Sequence, residues 1–254
     1  MILSSSQSIR QILRQRPMAA GLLEQEFEFH IWNRMEEPLS DLCRENGTDT
    51  HTMMQGILAL TPPPAETGWD KHRTYWLIDL LTREHAAFRD TDMPAIQALL
   101  EEERRLPHPD GFVAHQLAEE FAHFRADFEK HMTDEEEFLF PKILRNEACF
   151  QYPELEPEPF RGSVNLYLKL DRHKPDEAFG RTLDSLRAKL RNRHLHRDTA
   201  ELAQRVLAAL DGFAHRLNAH AALESGILFP RAGRLEQELY EGSAPGMSRF
   251  PGDQ

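Results

Sequence analysis

The sequence predicts an all-α protein: a four-helix bundle preceded by a small helical N-terminal domain. Three observations carry this. Apolar residues recur with steps of three and four over long stretches, the period of one helix face. Proline-rich segments cut those stretches into helix-sized pieces, the clearest being Thr61-Pro62-Pro63-Pro64-Ala65-Glu66-Thr67-Gly68. One motif, H-x3-E-x3-L-F-P, occurs twice, from His131 to Pro141 and from His220 to Pro230.

In chain order, Ser8 can cap a first short helix over Ile9–Leu13, which Pro17 ends. Met18 to Phe27 reads as helix, Pro38 can open another through Cys43, and His51 to Leu60 a further one after the break at Gly47-Thr48-Asp49. The Pro-rich stretch then marks a boundary. The expected division is an N-terminal domain at 1–61, a linker at 62–68, the bundle at 69–233 and a C-terminal extension at 234–254.

The bundle opens with a helix from Trp69 to about Phe88, on which Ile78, Leu81, His85 and Phe88 share a face; Pro94 kinks or restarts it on the way to Leu106. Pro107 to Gly111 reads as a turn. The most regular helix spans Phe112 to Phe140, with Phe121, Phe124, Phe128, His131, Glu135 and Phe138 on one buried seam. Cys149 to Gly162 reads as an irregular crossover. The third bundle helix starts at Leu168 or Pro175 and ends at Arg193. The fourth runs from Asp198 to Pro230 with Val206, Leu210, Phe213, Leu217, His220, Glu224 and Ile227 on its seam, and the tail after Leu239 reads as frayed.

Composition narrows the function. The formal charge is −12, against general binding of nucleic acid or an anionic membrane. The Arg-rich run from Arg187 to Arg197 reads as a solvated face. With two cysteines, Cys43 and Cys149, no disulfide framework or four-thiolate cluster can form within one chain. No signal-peptide core opens the chain and no apolar run is long enough to span a bilayer, so the expected location is the cytoplasm.

The repeated motif carries the chemistry. Within each copy the Glu follows the His by four residues (135−131 and 224−220), one turn along the same face. A carboxylate in a Phe-lined seam is costly unless something neutralises it, and a metal ion does so most simply. Each copy also follows an earlier His at matched distance: His85 lies 46 residues before His131, and His173 lies 47 before His220. A duplicated pair of helices would bring His85, His131, Glu135, His173, His220 and Glu224 into one core. Four imidazoles and two bridging carboxylates supply four protein donors to each of two metals. A shared oxo or hydroxo group would make five and leave one octahedral position open. Imidazole with carboxylate suits iron; manganese is the alternative. Pro175 holds His173 at the very start of its helix, where Asp176 or Glu177 could replace or supplement it as a ligand. His115 with Glu119, and Glu119 or Glu120 with His123, have similar spacings but lie off the seam and read as solvated.

These residues resemble a hemerythrin-like His/Glu domain. From about residue 7 to 233 the chain resembles the iron–sulfur cluster repair di-iron family, also called repair of iron centres or ScdA-type. The most specific parts are the two H-x3-E-x3-L-F-P copies, the second continuing into Arg231-Ala232, together with Leu77-Ile78-Asp79 and Arg83-Glu84-His85. The resemblance implies that the six residues bind two iron ions, with Glu135 and Glu224 bridging. It further implies repair of clusters damaged by nitrosative or oxidative stress, with iron–sulfur proteins as recipients and an electron donor as a further partner. A homodimer is compatible with it. The rival readings are an oxygen or nitric oxide binding or sensing protein, and nitric oxide reduction at the same centre. One departure stands out: family members usually carry adjacent cysteines followed by Gly in the N-terminal domain, and the corresponding stretch Phe27-Glu-Phe-His30-Ile31-Trp32-Asn33 has none. Cys43, in Pro38-Leu-Ser-Asp-Leu-Cys43, matches a later family cysteine. His30 reads as a surface residue.

Overall fold

The structure, a computed structural model, describes residues 3–28, 30–61, 73–105, 110–155, 163–164, 175–191 and 197–241. The described residues are helical, with no strand among them. Helices α1 (Ile9–Gln15), α2 (Ala19–Phe27), α3 (His30–Asn33), α4 (Leu39–Asn46) and α5 (Thr50–Ala59) form the N-terminal part. Then come α6 (Thr74–Ala87), α7 (Met93–Arg104), α8 (Asp110–Asp134), α9 (Phe140–Gln151), α10 (Pro175–Arg191), α11 (Arg197–Leu223) and α12 (Phe229–Glu241). The chain divides into two compact units. One comprises Met1–Thr82, Glu135–Leu170 and Ser225–Gln254; the other comprises Arg83–Asp134 and Asp171–Glu224. The Pro-rich linker, the crossover beyond Leu155 and the last thirteen residues lie outside the described residues.

In the first unit, local capping chemistry sets the short helices. The Ser8 side chain accepts from the Gln11 N–H while the Gln11 side chain reaches back to Ser8, a reciprocal cap on α1. Asp49 caps α5 through the Thr52 N–H at 2.8 Å, and Gly47, at φ +69°, ends α4 in the left-handed conformation that only Gly adopts cheaply. Helix α3 was not expected; it falls in the stretch where the cysteine pair is missing, and it buries Ile31 and Trp32. Helix α1 packs on α9, and α9 packs on α12. Asp79 of α6 is fully buried, 3.9 Å from Arg16 Nε, and accepts from the Met18 N–H at 3.5 Å.

The second unit is a closed ring of helices. Helix α7 packs on α8 and α11, and α10 packs on the same two. Its centre is aromatic. Phe88 meets Phe213 edge-on with ring centroids 5.2 Å apart, Phe124 stacks on Phe128 at 5.7 Å, and Phe128 meets Phe179 at 5.0 Å. Burying each such ring contributes about 1.5–3 kcal/mol. This core also fixes the positions of the histidines at its edge.

Among the described residues, three π turns interrupt the long helices: Phe88–Asp92, Glu135–Leu139 and Glu224–Leu228. In the first, the Met93 N–H donates to the Phe88 carbonyl five residues back. Each π turn is followed, at the second residue of the next helix, by a proline: Pro94, Pro141 and Pro230. Proline offers no N–H and its ring collides with the carbonyl four residues back. The wider π turn accommodates that loss without ending the helix.

This corrects several expectations. The second and fourth bundle helices do not stop at Pro141 and Pro230; helix resumes as α9, reaching past Cys149, and as α12, reaching Glu241. Phe138 is not on the buried seam but 64% exposed, while Leu139 is buried at 3%. The extra residue in the π turn advances the register by one. The same shift leaves Ile227 half-buried and buries Leu228. Of the expected turn at 107–111, Asp110 and Gly111 already belong to α8, and residues 107–109 lie outside the described residues.

Candidate metal centre

The two seams deliver their polar members into the interior as expected. His85, Glu135 and Glu224 are fully buried, His220 is 1% exposed and His131 7%. His85, Glu135, His220 and Glu224 each offer one ligand atom, and those atoms all lie within 4.8 Å of one another. His131 is not part of that tight group. It stacks on Phe128 at 6.1 Å and leans on Phe179 at 5.5 Å, near enough to Glu224 for its charge to act on that carboxyl. His173 lies outside the described residues.

His85 Nε2 and His220 Nε2 are 3.1 Å apart, and His220 Nε2 is also 3.1 Å from Glu224 Oε1. Two donors at right angles, each ~2.1 Å from one ion, are separated by about 3 Å. The three atoms therefore fit neighbouring positions on a single metal. Phe88 supports this edge of the site, its ring meeting His220 edge-on at 5.6 Å.

A residue that the sequence reading passed over completes the arrangement. The far ring nitrogen of His220, Nδ1, is 2.8 Å from Glu84 Oε2. A carboxylate behind a metal-binding imidazole fixes the tautomer and the ring plane and raises ligand basicity. Only its place beside His85 could have hinted at this role, and helix spacing alone does not reveal a partner 136 residues away.

Electrostatics follow from the burial. Desolvation pulls the His220 imidazole down, but the Glu224 carboxylate, by charge and by hydrogen bond, together with Glu84, outweighs it and pushes the group up to about 10. Burial would raise the Glu224 carboxyl; the His220 charge and hydrogen bond, with His85 and His131 beyond, hold it below the ordinary carboxylate range. In the metal-free protein a proton on His220 thus does what a cation would do. His220 Nε2, 3.1 Å from Glu224 Oε1, supplies the main compensation for that buried carboxylate, and His85 and His131 add to it. That donor set, buried imidazole nitrogens and carboxylate oxygens, suits iron or manganese.

The off-seam pairs are as expected. His115 Nε2 meets Glu119 Oε1 at 3.3 Å with both side chains well exposed, and Glu120 pairs with Lys189 at 2.6 Å. His30 is exposed.

A bundle of helices with a buried His/Glu cluster defines a metal-binding class of protein. The Hemerythrin HHE cation binding domain matches residues 77–232, more than half of the chain, and the chain belongs to that family. No curated protein matches it. Among the described residues no helix is long and apolar enough to cross a membrane.

Proposed function

We propose that this chain holds two iron ions and supplies iron to iron–sulfur clusters damaged by nitrosative or oxidative stress, acting in the cytoplasm. The observation that carries the iron site is the triangle of His85 Nε2, His220 Nε2 and Glu224 Oε1, with Glu135 within reach. In this reading His85, His131, His173 and His220, with Glu135 and Glu224, would hold the two ions. The pair would supply a redox-active centre with an open position. The protein's own residues hold the ions, exclude water with the Phe88 and Phe128 rings, and hold the His220 proton-bearing nitrogen against Glu84.

The repair reading rests on the resemblance of the whole chain, including the helical N-terminal part and Cys43, to the cluster repair family. The test is transfer of iron from the loaded protein to an apo iron–sulfur enzyme, followed by recovery of that enzyme's activity. Glu135→Leu and Glu224→Leu should lower the transfer at least tenfold. Transfer at an undiminished rate from both variants overturns the reading. A second reading, reversible binding of oxygen or nitric oxide, is favoured by the missing cysteine pair at 27–33. It predicts ligand binding without iron transfer.

A further inference from the structure

We infer that Arg14 of α1 is a positioning residue for Glu135, so that the N-terminal helix governs how tightly the centre keeps its metal. The inference rests on the iron-holding reading above. Its basis is what Arg14 touches. Arg14 Nη1 lies 2.8 Å from Glu137 Oε1 and Nη2 lies 3.8 Å from Glu136 Oε2. These are the two residues that follow Glu135 in the second π turn. One guanidinium therefore bridges two successive carboxylates beside a carboxylate buried in the metal cluster.

The three acidic residues at 135–137 do not share one environment. Glu135 is fully buried, Glu136 is 6% exposed and the Glu137 side chain 39%. Keeping Glu136 inside next to another buried carboxylate is unfavourable without a cation. Arg14 supplies one, at the wall of an apolar recess lined by Leu13, Trp32, Ile78, Phe140 and Leu144, where Glu136 also sits. Such walls strengthen an ion pair relative to open solvent. The π turn is the least regular part of this helix and the place where it yields most readily. Releasing Glu136 toward water would rotate the turn and carry Glu135 with it.

Helix α1 is itself firmly seated. Ile9 and Ile12 are fully buried, the Ile9 N–H donates to the Glu37 carbonyl at 3.0 Å and the Arg10 N–H to the Met35 carbonyl at 2.8 Å. Just beyond α1, Arg16 Nη2 donates to the Leu60 carbonyl at 2.8 Å and Arg16 Nε faces Asp79. Arg14 thus projects from a fixed base onto the turn.

The test compares wild type with Arg14→Met, Arg14→Lys, Glu136→Gln combined with Arg14→Met, and Arg10→Met. Arg10 pairs with Glu36 and touches neither Glu136 nor Glu137 by charge, so it controls for loosening of α1. Two quantities are read: the rate at which a ferrous chelator strips iron from the loaded full-length protein, and amide hydrogen exchange at 135–139 in the metal-free protein. Arg14→Met should release iron about three- to tenfold faster and exchange faster at 135–139. Arg14→Lys and the double variant should return close to wild type, and Arg10→Met should match it. Wild-type behaviour of Arg14→Met in both readouts overturns the inference. So does equal acceleration by Arg10→Met, or failure of the double variant to recover. If wild type itself retains no iron, the iron-holding reading fails, and the exchange measurement still decides whether Arg14 holds the turn.

Discussion

Glu84 and His220, 136 residues apart, meet at 2.8 Å through the ring nitrogen that faces away from His85 and Glu224. One imidazole is thus held from both sides: a carboxylate behind it and the cluster in front. Glu84→Ala should weaken iron binding about 10–100-fold while leaving the helical content intact, because it removes the ring's orientation and not a ligand. Glu84→Gln should fall between the two, since an amide oxygen still accepts from Nδ1 but carries no charge. Competition titration with a chelator reads both. Wild-type affinity of Glu84→Ala would remove Glu84 from the site.

The same ion contacts make the metal-free protein pH-sensitive. The His220 group is pushed up to about 10 from its ordinary 6.5. A raised imidazole contributes stability that is fully present below about 6.5 and disappears as pH rises toward 10. Glu224, held low, contributes stability above the ordinary carboxylate value that disappears on acidification. The melting temperature of metal-free wild type should therefore fall from pH 7 to pH 10, and His220→Ala should flatten that slope. Iron loading must displace the His220 proton, so affinity should rise with pH and protons should be released on binding, which calorimetry in buffers of different ionisation enthalpy detects.

The π turns predict an unusual tolerance. Deleting Phe138, which is 64% exposed, removes the residue that the second π turn contains in excess. The helix can close into regular α geometry with α9 in its present register. Circular dichroism and thermal unfolding should stay near wild type, within about 1–2 kcal/mol. Iron binding should fall at least tenfold, because Glu135 no longer leaves the helix at the π-turn angle. Deleting Ala126, in the middle of α8, shifts every downstream seam residue and should unfold the protein.

Lys142 on α9 is 8% exposed, and its Nζ has no hydrogen-bond partner. Replacing a buried unpartnered amine by an apolar chain of similar length removes a desolvation cost. Lys142→Met should stabilise the protein by about 1–3 kcal/mol in urea unfolding. A loss of stability would show that the amine is satisfied in solution.

Much of the site was legible because it is local. His131 and Glu135, or His220 and Glu224, are four residues apart, and any α-helix puts such pairs on one face. The seams that flank them bury Phe121, Phe124 and Phe128 on one helix and Val206, Leu210 and Phe213 on the other, as their spacing requires. The prolines at 141 and 230 were legible too, but a proline ten residues after the His reads as a helix end. That a helix passes through it by widening one turn depends on what the next segment packs against, and here α9 packs on α1 and α12.

The all-α class, the polar residues on each buried face and the charge balance follow from periodicity and composition. Which of those residues meet follows from long-range packing. His85 reaches His220 across 135 residues, Glu84 stands behind the same ring, and Arg14 reaches the turn at Glu136 and Glu137. Helical spacing specifies neighbours within one turn. The approach of His85 and Glu84 to His220 depends on how the Phe88, Phe128 and Phe213 rings interlock, and no local rule encodes that.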